Sequence, residues 1–108
     1  MCGIIGGNGF NNKTIKVGLD KTIHRGRDNS SFVDIEGFLV GHNRLSIQDL
    51  SDAANQPMFD VDNQVCIVYN GELWDSVETK ELKKSLRTLF RTKSDTEIIL
   101  NAYLEMGV

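Results

Sequence analysis

The sequence predicts a single, small α+β domain, and three observations support this fold class. Apolar stretches over residues 32–44 and 65–69 have the composition and length of β-strands. Apolar residues at helical spacing indicate helices over residues 13–23, 77–90 and 95–106. A chain of 108 residues has room for one domain with a modest core. We therefore expect strands and helices that share one core.

The N-terminal region is predicted to form a strand, a turn and a helix. Residues 3–7 have the apolar centre of a short buried strand, and the glycine-rich residues 6–9 are expected to turn the chain. The helix over residues 13–23 has one apolar face, because apolar residues recur every four positions. That face consists of Ile15, Leu19 and Ile23.

The middle of the chain is predicted to be largely β. A hairpin spans residues 32–42 and turns at Glu36-Gly37. Residues 44–47 follow as a shorter β-like piece. The unbroken apolar run over residues 65–69 predicts a central strand that is buried on both faces. This strand is expected to end at Asn70-Gly71, where a turn forms easily.

Two helices are expected toward the end of the chain. The first spans residues 77–90 and presents Leu82, Leu86 and Phe90 on one face. The second spans residues 95–106 and begins with Ser94-Asp95-Thr96-Glu97, a capping-box sequence. Its expected inward residues are Ile99, Tyr103 and Met106.

Composition and charge narrow the classes of function. The formal net charge is −3, which disfavours a nucleic-acid-binding or anionic-membrane surface. No apolar run approaches the length of a membrane span, and the N-terminus lacks the basic and apolar pattern of a signal peptide. We therefore expect a cytoplasmic protein without nucleic-acid or membrane partners.

The cysteines and histidines do not indicate a disulfide framework or a metal site. Cys2 and Cys66 are too few for such a framework, and a reducing compartment would keep both as thiols. A zinc set of Cys2, His24, His42 and Cys66 is disfavoured because its members lie about twenty residues apart, whereas structural zinc ligands come in close pairs. No metal ligand is therefore assigned.

The clearest chemical signal is the cysteine that follows Met1. If Met1 is removed, Cys2 carries a thiol and a free α-amine on one residue. An α-amine has an unperturbed pKa of roughly 7.7–8.0, so it can accept a proton near neutral pH. A thiol beside such a base is an activated nucleophile. The alternative is that Cys2 is a chance residue before a buried strand.

Five short motifs occur in a fixed order along the chain. They are Met1-Cys2-Gly3-Ile4-Ile5-Gly6, His24-Arg25-Gly26-Arg27-Asp28, Gly41-His42-Asn43-Arg44-Leu45-Ser46-Ile47, Asn70-Gly71-Glu72-Leu73 and Ser94-Asp95-Thr96-Glu97. Together they resemble the glutamine amidotransferase domain of the N-terminal-nucleophile class, as found at the front of glutamine-hydrolysing asparagine synthetases. Gln56-Pro57-Met58 is similar to the asparagine synthetase branch in particular.

The resemblance implies a four-layer αββα sandwich, of which residues 1–108 match about the first half. The partial amidotransferase domain is therefore expected to be truncated and to have open strand edges that permit self-association. In this family a synthetase domain that uses ATP and Mg²⁺ normally follows. That domain is absent from this chain, so no cofactor is expected here.

By resemblance, three residues carry the catalytic chemistry. Cys2 attacks the side-chain amide of glutamine, and its own α-amine serves as general base and then as acid toward ammonia. The side-chain amide of Asn70 and the backbone N–H of Gly71 stabilise the oxyanion. His24 and His42 are assigned structural roles instead of a Cys–His pair, with His24-Arg25 shaping the loop beside Cys2. Cys66 is assigned to the core as an inert thiol.

The substrate pocket is assigned in the same way. Arg44 binds the α-carboxylate of glutamine, and Glu72 and Asp95 receive its α-ammonium, because glutamine presents both charges. Asn70 and Gly71 contact the same substrate. The backbone of Leu45, Ser46, Ile47 and Gln48 lines one pocket wall.

The resulting hypothesis is hydrolysis of L-glutamine to glutamate and ammonia, with ammonia passed to a synthetase domain or protein that converts aspartate to asparagine. Two alternatives stay open. One is a truncated, non-catalytic domain that binds glutamine or a partner protein. The other is an amidotransferase domain of the same class that supplies a different ammonia acceptor.

Overall fold

The computed structural model describes residues 1–107, which form an α+β fold with two antiparallel sheets and three α-helices. The elements in chain order are β1 (Gly3–Asn8), α1 (Asn12–Thr22), β2 (Asn29–Ile35), β3 (Phe38–Arg44), β4 (Met58–Phe59), β5 (Cys66–Ile67), α2 (Val77–Ser85) and α3 (Asp95–Met106). The predicted fold class is therefore confirmed. The sheets of the described region have three and two strands, and the four-layer sandwich remains an expectation.

The larger sheet has the order β1-β3-β2, and the predicted hairpin forms its β2–β3 half. Glu36 and Gly37 join these strands with φ angles of 51° and 88°. Two consecutive positive φ angles are typical of the tight turns whose twist matches that of a hairpin. The turn signal in the sequence was therefore correct.

Helix α1 covers one face of the larger sheet and forms the main core. Ile15 and Leu19 are buried against Leu39 of β3, and Ile5 and Phe32 pack around them. The helical spacing predicted the first two residues correctly. Ile23 instead follows α1 in a 3₁₀ turn and is 38% exposed. The end of α1 is tied to β3, because the buried Asn43 donates from Nδ2 to the carbonyl of Leu19 at 2.7 Å.

The β-like piece predicted over residues 44–47 is wrong. Arg44 is the last residue of β3, and the chain leaves the sheet directly after it. The N–H of Ser46 donates to the Asp28 carboxylate at 2.7 Å instead of to a strand. This side-chain acceptor turns the segment into a loop.

The central strand predicted over residues 65–69 is also wrong. Only Cys66–Ile67 forms a strand, and it pairs with β4 alone. The Asp60 carboxylate accepts the N–H groups of Gln64 and Val65 at 2.7 and 2.8 Å, which holds the residues before β5 in a turn. The run is consequently half-buried and forms part of a short ribbon.

Helix α2 ends earlier than predicted. It stops at Ser85, and Leu86 is extended. The Glu105 carboxylate, which belongs to α3, accepts the N–H groups of Arg87 and Thr88, each at 2.7 Å. A distant acceptor has replaced the helical hydrogen bonds that periodicity predicted over residues 86–90.

Helix α3 has the predicted length but a different inward face. Tyr103 and Met106 are 47% and 68% exposed, and Ile99 is only half-buried. The buried residues are Thr96, Glu97, Ile98, Leu100 and Asn101.

Glu97 explains the rotation of that face. Its carboxylate accepts the N–H groups of Arg91 and Thr92 at 2.9 and 2.7 Å. In a capping box it would instead accept the N–H of Ser94. Ser94 still accepts a hydrogen bond in the first turn, from the N–H of Thr96.

Candidate functional site

A cavity of about 290 Å³ lies between the N-terminus, the loop after β3, the segment after β5 and the start of α3. This volume suits a small metabolite. Nine of the residues assigned from the sequence line it, namely Cys2, Arg44, Leu45, Ile47, Gln48, Asn70, Gly71, Glu72 and Asp95. Four stretches that are distant in sequence thus meet at one site.

Cys2 lies at the edge of the cavity, directly before β1. Its Sγ accepts a hydrogen bond from the N–H of Leu45 at 3.4 Å, which holds the thiol beside the loop after β3. The carbonyl of Cys2 accepts a bond from Nε of Arg25 at 3.0 Å. Arg25 therefore contacts the segment that carries Cys2, where the sequence placed it, whereas His24 is exposed.

Gly26 allows the Arg25 loop to approach β3. A Cβ at this position would lie 2.5 Å from the backbone of Asn43 and Arg44, which no side chain could tolerate without a shift. The loop and the strand that carry Arg25 and Arg44 therefore come together through glycine.

The buried guanidinium of Arg44 anchors the loop that follows β3. Nη1 donates to the carbonyl of Ser51 and to Oδ1 of Asn55, each at 2.8 Å, and Nη2 donates to the carbonyl of Asp49. These bonds use three of the five guanidinium N–H groups. Arg44 also lines the cavity, and its two remaining N–H groups make none of these bonds.

Ser46 does not line this cavity, unlike its neighbours Leu45, Ile47 and Gln48. Its backbone bonds to Asp28, and the residue faces a separate, polar depression on the other side of Arg44. The wall assigned to residues 45–48 is therefore formed by three of the four residues.

Asn70, Gly71 and Glu72 form the wall that follows β5, and all three are exposed to solvent. The Tyr69 ring covers Gly71, since a Cβ on Gly71 would lie 2.6 Å from the Tyr69 hydroxyl. Burial raises the pKa of Tyr69, and the nearby carboxylates of Asp95 and Glu72 act in the same direction. The phenol therefore remains neutral beside two acids.

The start of α3 joins the other two walls. Asp95 Oδ2 accepts the N–H of Leu73 at 3.0 Å, and the N–H of Asp95 donates to Gln48 at 3.2 Å. Asp49 accepts the N–H of Lys93 at 2.7 Å. Hydrogen bonds from Ser51 and then from Lys93 lower the pKa of Asp49 to about 2, so it is ionised at neutral pH.

His42 is completely buried in β3 and contributes a structural bond. Its Nε2 lies 3.2 Å from the carbonyl of Tyr69, which assigns the ring hydrogen to Nε2, where it donates. Within residues 1–107 no three His, Cys, Asp or Glu side chains lie close enough to share a metal ion. The zinc set considered from the sequence is therefore not assembled in this region.

The free energy of unfolding is expected to fall as the pH drops below about 6.5, because of His42. Burial lowers the pKa of His42, and the positive charge of Arg44 adds to this, although the bond to Tyr69 opposes it. The unfolded chain then binds a proton at a higher pH than the folded protein does. The stabilisation is complete above the unfolded pKa and is lost as the pH falls through the folded one.

Urea unfolding between pH 8 and pH 5 measures this dependence. The free energy of unfolding should depend less on pH in His42→Gln than in the wild type. In His24→Gln the pH dependence should persist, since His24 is exposed. An unchanged pH dependence in His42→Gln would show that other groups cause it.

Several further residues line the cavity for which the sequence predicted no role in the site, among them Gln56, Tyr69, Ser94 and Thr96. Gln56 precedes Pro57, the only proline in the chain, and was used only as a family signature. No local pattern placed its side chain near residue 69. A buried glutamine between two loops becomes informative only after the fold is known.

The cavity combines a nucleophile, hydrogen-bond donors and both signs of charge. The Cys2 thiol lies at one side, Arg44 supplies a cation, and Glu72 and Asp95 supply anions. This set can bind a small zwitterion and attack an electrophilic carbon within it. In the described part of the chain, no helix is long and apolar enough to cross a bilayer.

Comparison with known proteins agrees with this chemistry. The chain is 41% identical over 90 residues to amidase chyE of Penicillium rubens, in an alignment that covers 83% of this chain and 13% of that protein. It is 36% identical over 129 residues to putative asparagine synthetase (glutamine-hydrolyzing) 2 of Methanocaldococcus jannaschii, covering 99% of this chain and 24% of the relative. Asparagine synthetase (glutamine-hydrolyzing) 1 of Bacillus subtilis is 31% identical over 113 residues, covering 95% and 17%.

The chain thus spans about a quarter or less of the length of these relatives. The glutamine amidotransferase domain family matches all of residues 1–108. On this match and these relatives, the chain belongs to the glutamine amidotransferase domain family.

Proposed function

We propose that this chain hydrolyses L-glutamine to glutamate and ammonia with Cys2 as the nucleophile. The observation that carries the proposal is the meeting of Cys2, the Asn70-Gly71 segment and three charged residues at one cavity. The charged residues are Arg44, Glu72 and Asp95. Family membership supports glutamine as the substrate class.

The reaction begins once removal of Met1 frees the α-amine of Cys2. The amine takes the thiol proton, and Sγ attacks the side-chain amide carbon of glutamine. The amide of Asn70 and the N–H of Gly71 donate to the resulting oxyanion. The ammonium of Cys2 returns the proton to the leaving nitrogen, and ammonia departs. Water then cleaves the thioester, which releases glutamate and restores the thiol.

The charges of the cavity account for selection of an amino acid. In this proposal the two remaining N–H groups of Arg44 bind the α-carboxylate, and Glu72 and Asp95 bind the α-ammonium. The neutral phenol of Tyr69 lies near both acids and adds no competing charge. In this arrangement the cation and the two anions hold the two charged groups of the amino acid, and this orients its side-chain amide toward Cys2.

We further propose that ammonia passes to a synthetase domain or protein, with aspartate as acceptor and with ATP and Mg²⁺ acting in that synthetase. The asparagine synthetases among the relatives support this acceptor. One relative is named as an amidase, so transfer of ammonia to a different acceptor is the second candidate function. A cytoplasmic location would suit either reaction. A non-catalytic role is the remaining alternative, to be judged by turnover.

An assay of glutamate and ammonia release tests the proposal. Purified chain whose intact mass shows loss of Met1 should release both products in equal amounts from L-glutamine. L-Asparagine, which is one methylene shorter, serves as the matched control and should react far more slowly. Absence of turnover in chain that has lost Met1 and is folded by circular dichroism would favour the non-catalytic alternative.

Replacing Arg44 with alanine is expected to raise the glutamine KM by about 10–150-fold, the equivalent of one buried charge-assisted hydrogen bond worth about 1.5–3 kcal/mol. Because Arg44 also anchors residues 49–55, the variant should have a lower melting temperature. Arg27→Ala is the control, since Arg27 is exposed and lies outside the cavity. A wild-type KM in folded Arg44→Ala would exclude the assigned carboxylate contact.

A further inference from the structure

The Asn70-Gly71 segment is not held by a sheet. Strand β5 ends at Ile67, three residues before Asn70, and its one partner is β4. A segment with no ladder needs other hydrogen bonds to adopt one position, because exposed loops are otherwise mobile. The backbone of Tyr69, the residue directly before Asn70, makes such bonds.

Both backbone groups of Tyr69 bond to buried side chains. The N–H of Tyr69 donates to Oε1 of Gln56 at 2.5 Å, and its carbonyl accepts from Nε2 of His42 at 3.2 Å. Gln56 is 6% exposed and His42 is fully buried. The peptide groups on either side of Tyr69 are therefore fixed by two side chains from distant parts of the chain.

Gln56 is itself fixed on two further sides. Its backbone carbonyl accepts the hydroxyl of Ser31, in β2, at 2.5 Å. Its Nε2 donates to the buried hydroxyl of Thr96 at 3.0 Å. Thr96 follows Asp95 in the first turn of α3. A single glutamine thus links the larger sheet, the segment before Asn70 and the helix that carries Asp95.

We propose that Gln56 is a positioning residue for the hydrolysis proposed above, on which this inference rests. Gln56 and His42 hold the backbone of Tyr69, and this places the Asn70 and Gly71 donors at the oxyanion position. Gln56 contacts neither the thiol nor the leaving group in this role. Its effect falls on the transition state, where donors must already be in place when the charge develops.

Gln56→Met tests the proposal because methionine has a similar shape and cannot accept or donate as the amide does. We expect kcat to fall by about 10–100-fold, since a small misplacement of catalytic groups has an effect of this size. The glutamine KM should change by less than about threefold, because the lost interaction acts mainly in the transition state. Gln64→Met is the matched control, since Gln64 is exposed and outside the cavity.

Gln56→Glu is the rescue variant. In either protonation state its carboxyl presents an oxygen to the N–H of Tyr69, and the hydroxyl of Thr96 can donate to it. It should recover most of the kcat lost in Gln56→Met. Equal losses in the two variants would show that the Tyr69 bond is not what matters, and would overturn the proposal.

Amide hydrogen exchange supplies a readout that does not depend on turnover. In Gln56→Met, exchange at Tyr69 should accelerate at least about tenfold, while amides of α1 remain protected. Unchanged exchange at Tyr69, or an equal loss of protection throughout α1, would overturn the positioning role. If the wild type lacks turnover but Tyr69 exchange responds as expected, the proposed reaction fails while the structural role of Gln56 stands.

Discussion

Cys2→Ala should lose glutamine hydrolysis to below detection, a decrease in kcat of at least about 10³-fold, because no second nucleophile can replace the thiol. Sulfur is a weak hydrogen-bond acceptor, so loss of the bond between Sγ and the N–H of Leu45 should leave the fold intact. The rate of glutamate release, measured with matched melting temperatures, tests this expectation.

Cys66→Ala is the control for the nucleophile. Cys66 is half-buried in β5, and burial raises the pKa of its thiol, which disfavours the reactive thiolate. An electrophilic glutamine analogue should therefore label the wild type and Cys66→Ala once per chain, and should not label Cys2→Ala. Labelling that persists in Cys2→Ala would remove Cys2 from its assigned role.

The N-terminal part of the fold could be predicted because its determinants are local. The spacing of Ile15 and Leu19 defines one face of α1, and the Glu36-Gly37 pair selects a tight hairpin. Each pattern is complete within about ten residues. The sheet order, with β3 between β1 and β2, follows from pairings that a local pattern does not contain.

The errors occurred where an acidic side chain, near in sequence or distant, accepts backbone N–H groups. Glu105 takes the N–H groups after α2, and Asp60 takes those before β5. Glu97 does the same for residues 91 and 92, which rotates the buried face of α3. In the first two cases the acid contacts a segment that periodicity assigned to a helix or a strand, and in the third it contacts the loop before α3. Such contacts become visible only once the chain is folded.

The candidate site was largely predicted because its motifs are compact and ordered along the chain. The resemblance supplied the residues on each wall, and the fold brings them to one cavity except Ser46. It included the residues that join the walls but assigned them no role in the site. Gln56 and Thr96 bond to each other and carry no chemical signature of their own.

Asn70→Ala is expected to lower kcat by about 10²–10³-fold, the effect of removing one oxyanion donor. Asn70 is exposed, so truncation should not destabilise the fold. The glutamine KM should change little, because this donor binds charge that is present only in the transition state. Steady-state kinetics at saturating and at low glutamine concentrations separate the two parameters.

Asn12→Ala is the control, since Asn12 is exposed in the first turn of α1. A kcat within a few-fold of the wild type in Asn70→Ala would show that the Asn70 amide does not stabilise the oxyanion.

The double variant Asn70→Ala with Gln56→Met tests whether Gln56 acts through the Asn70 donor. If Gln56 acts by placing Asn70, its loss should cost little more once the Asn70 amide is gone, whereas independent residues would show additive losses in log kcat. An additional decrease well below the additive value would report on Gly71, whose N–H follows on the same segment. Full additivity would show that Gln56 and Asn70 act separately.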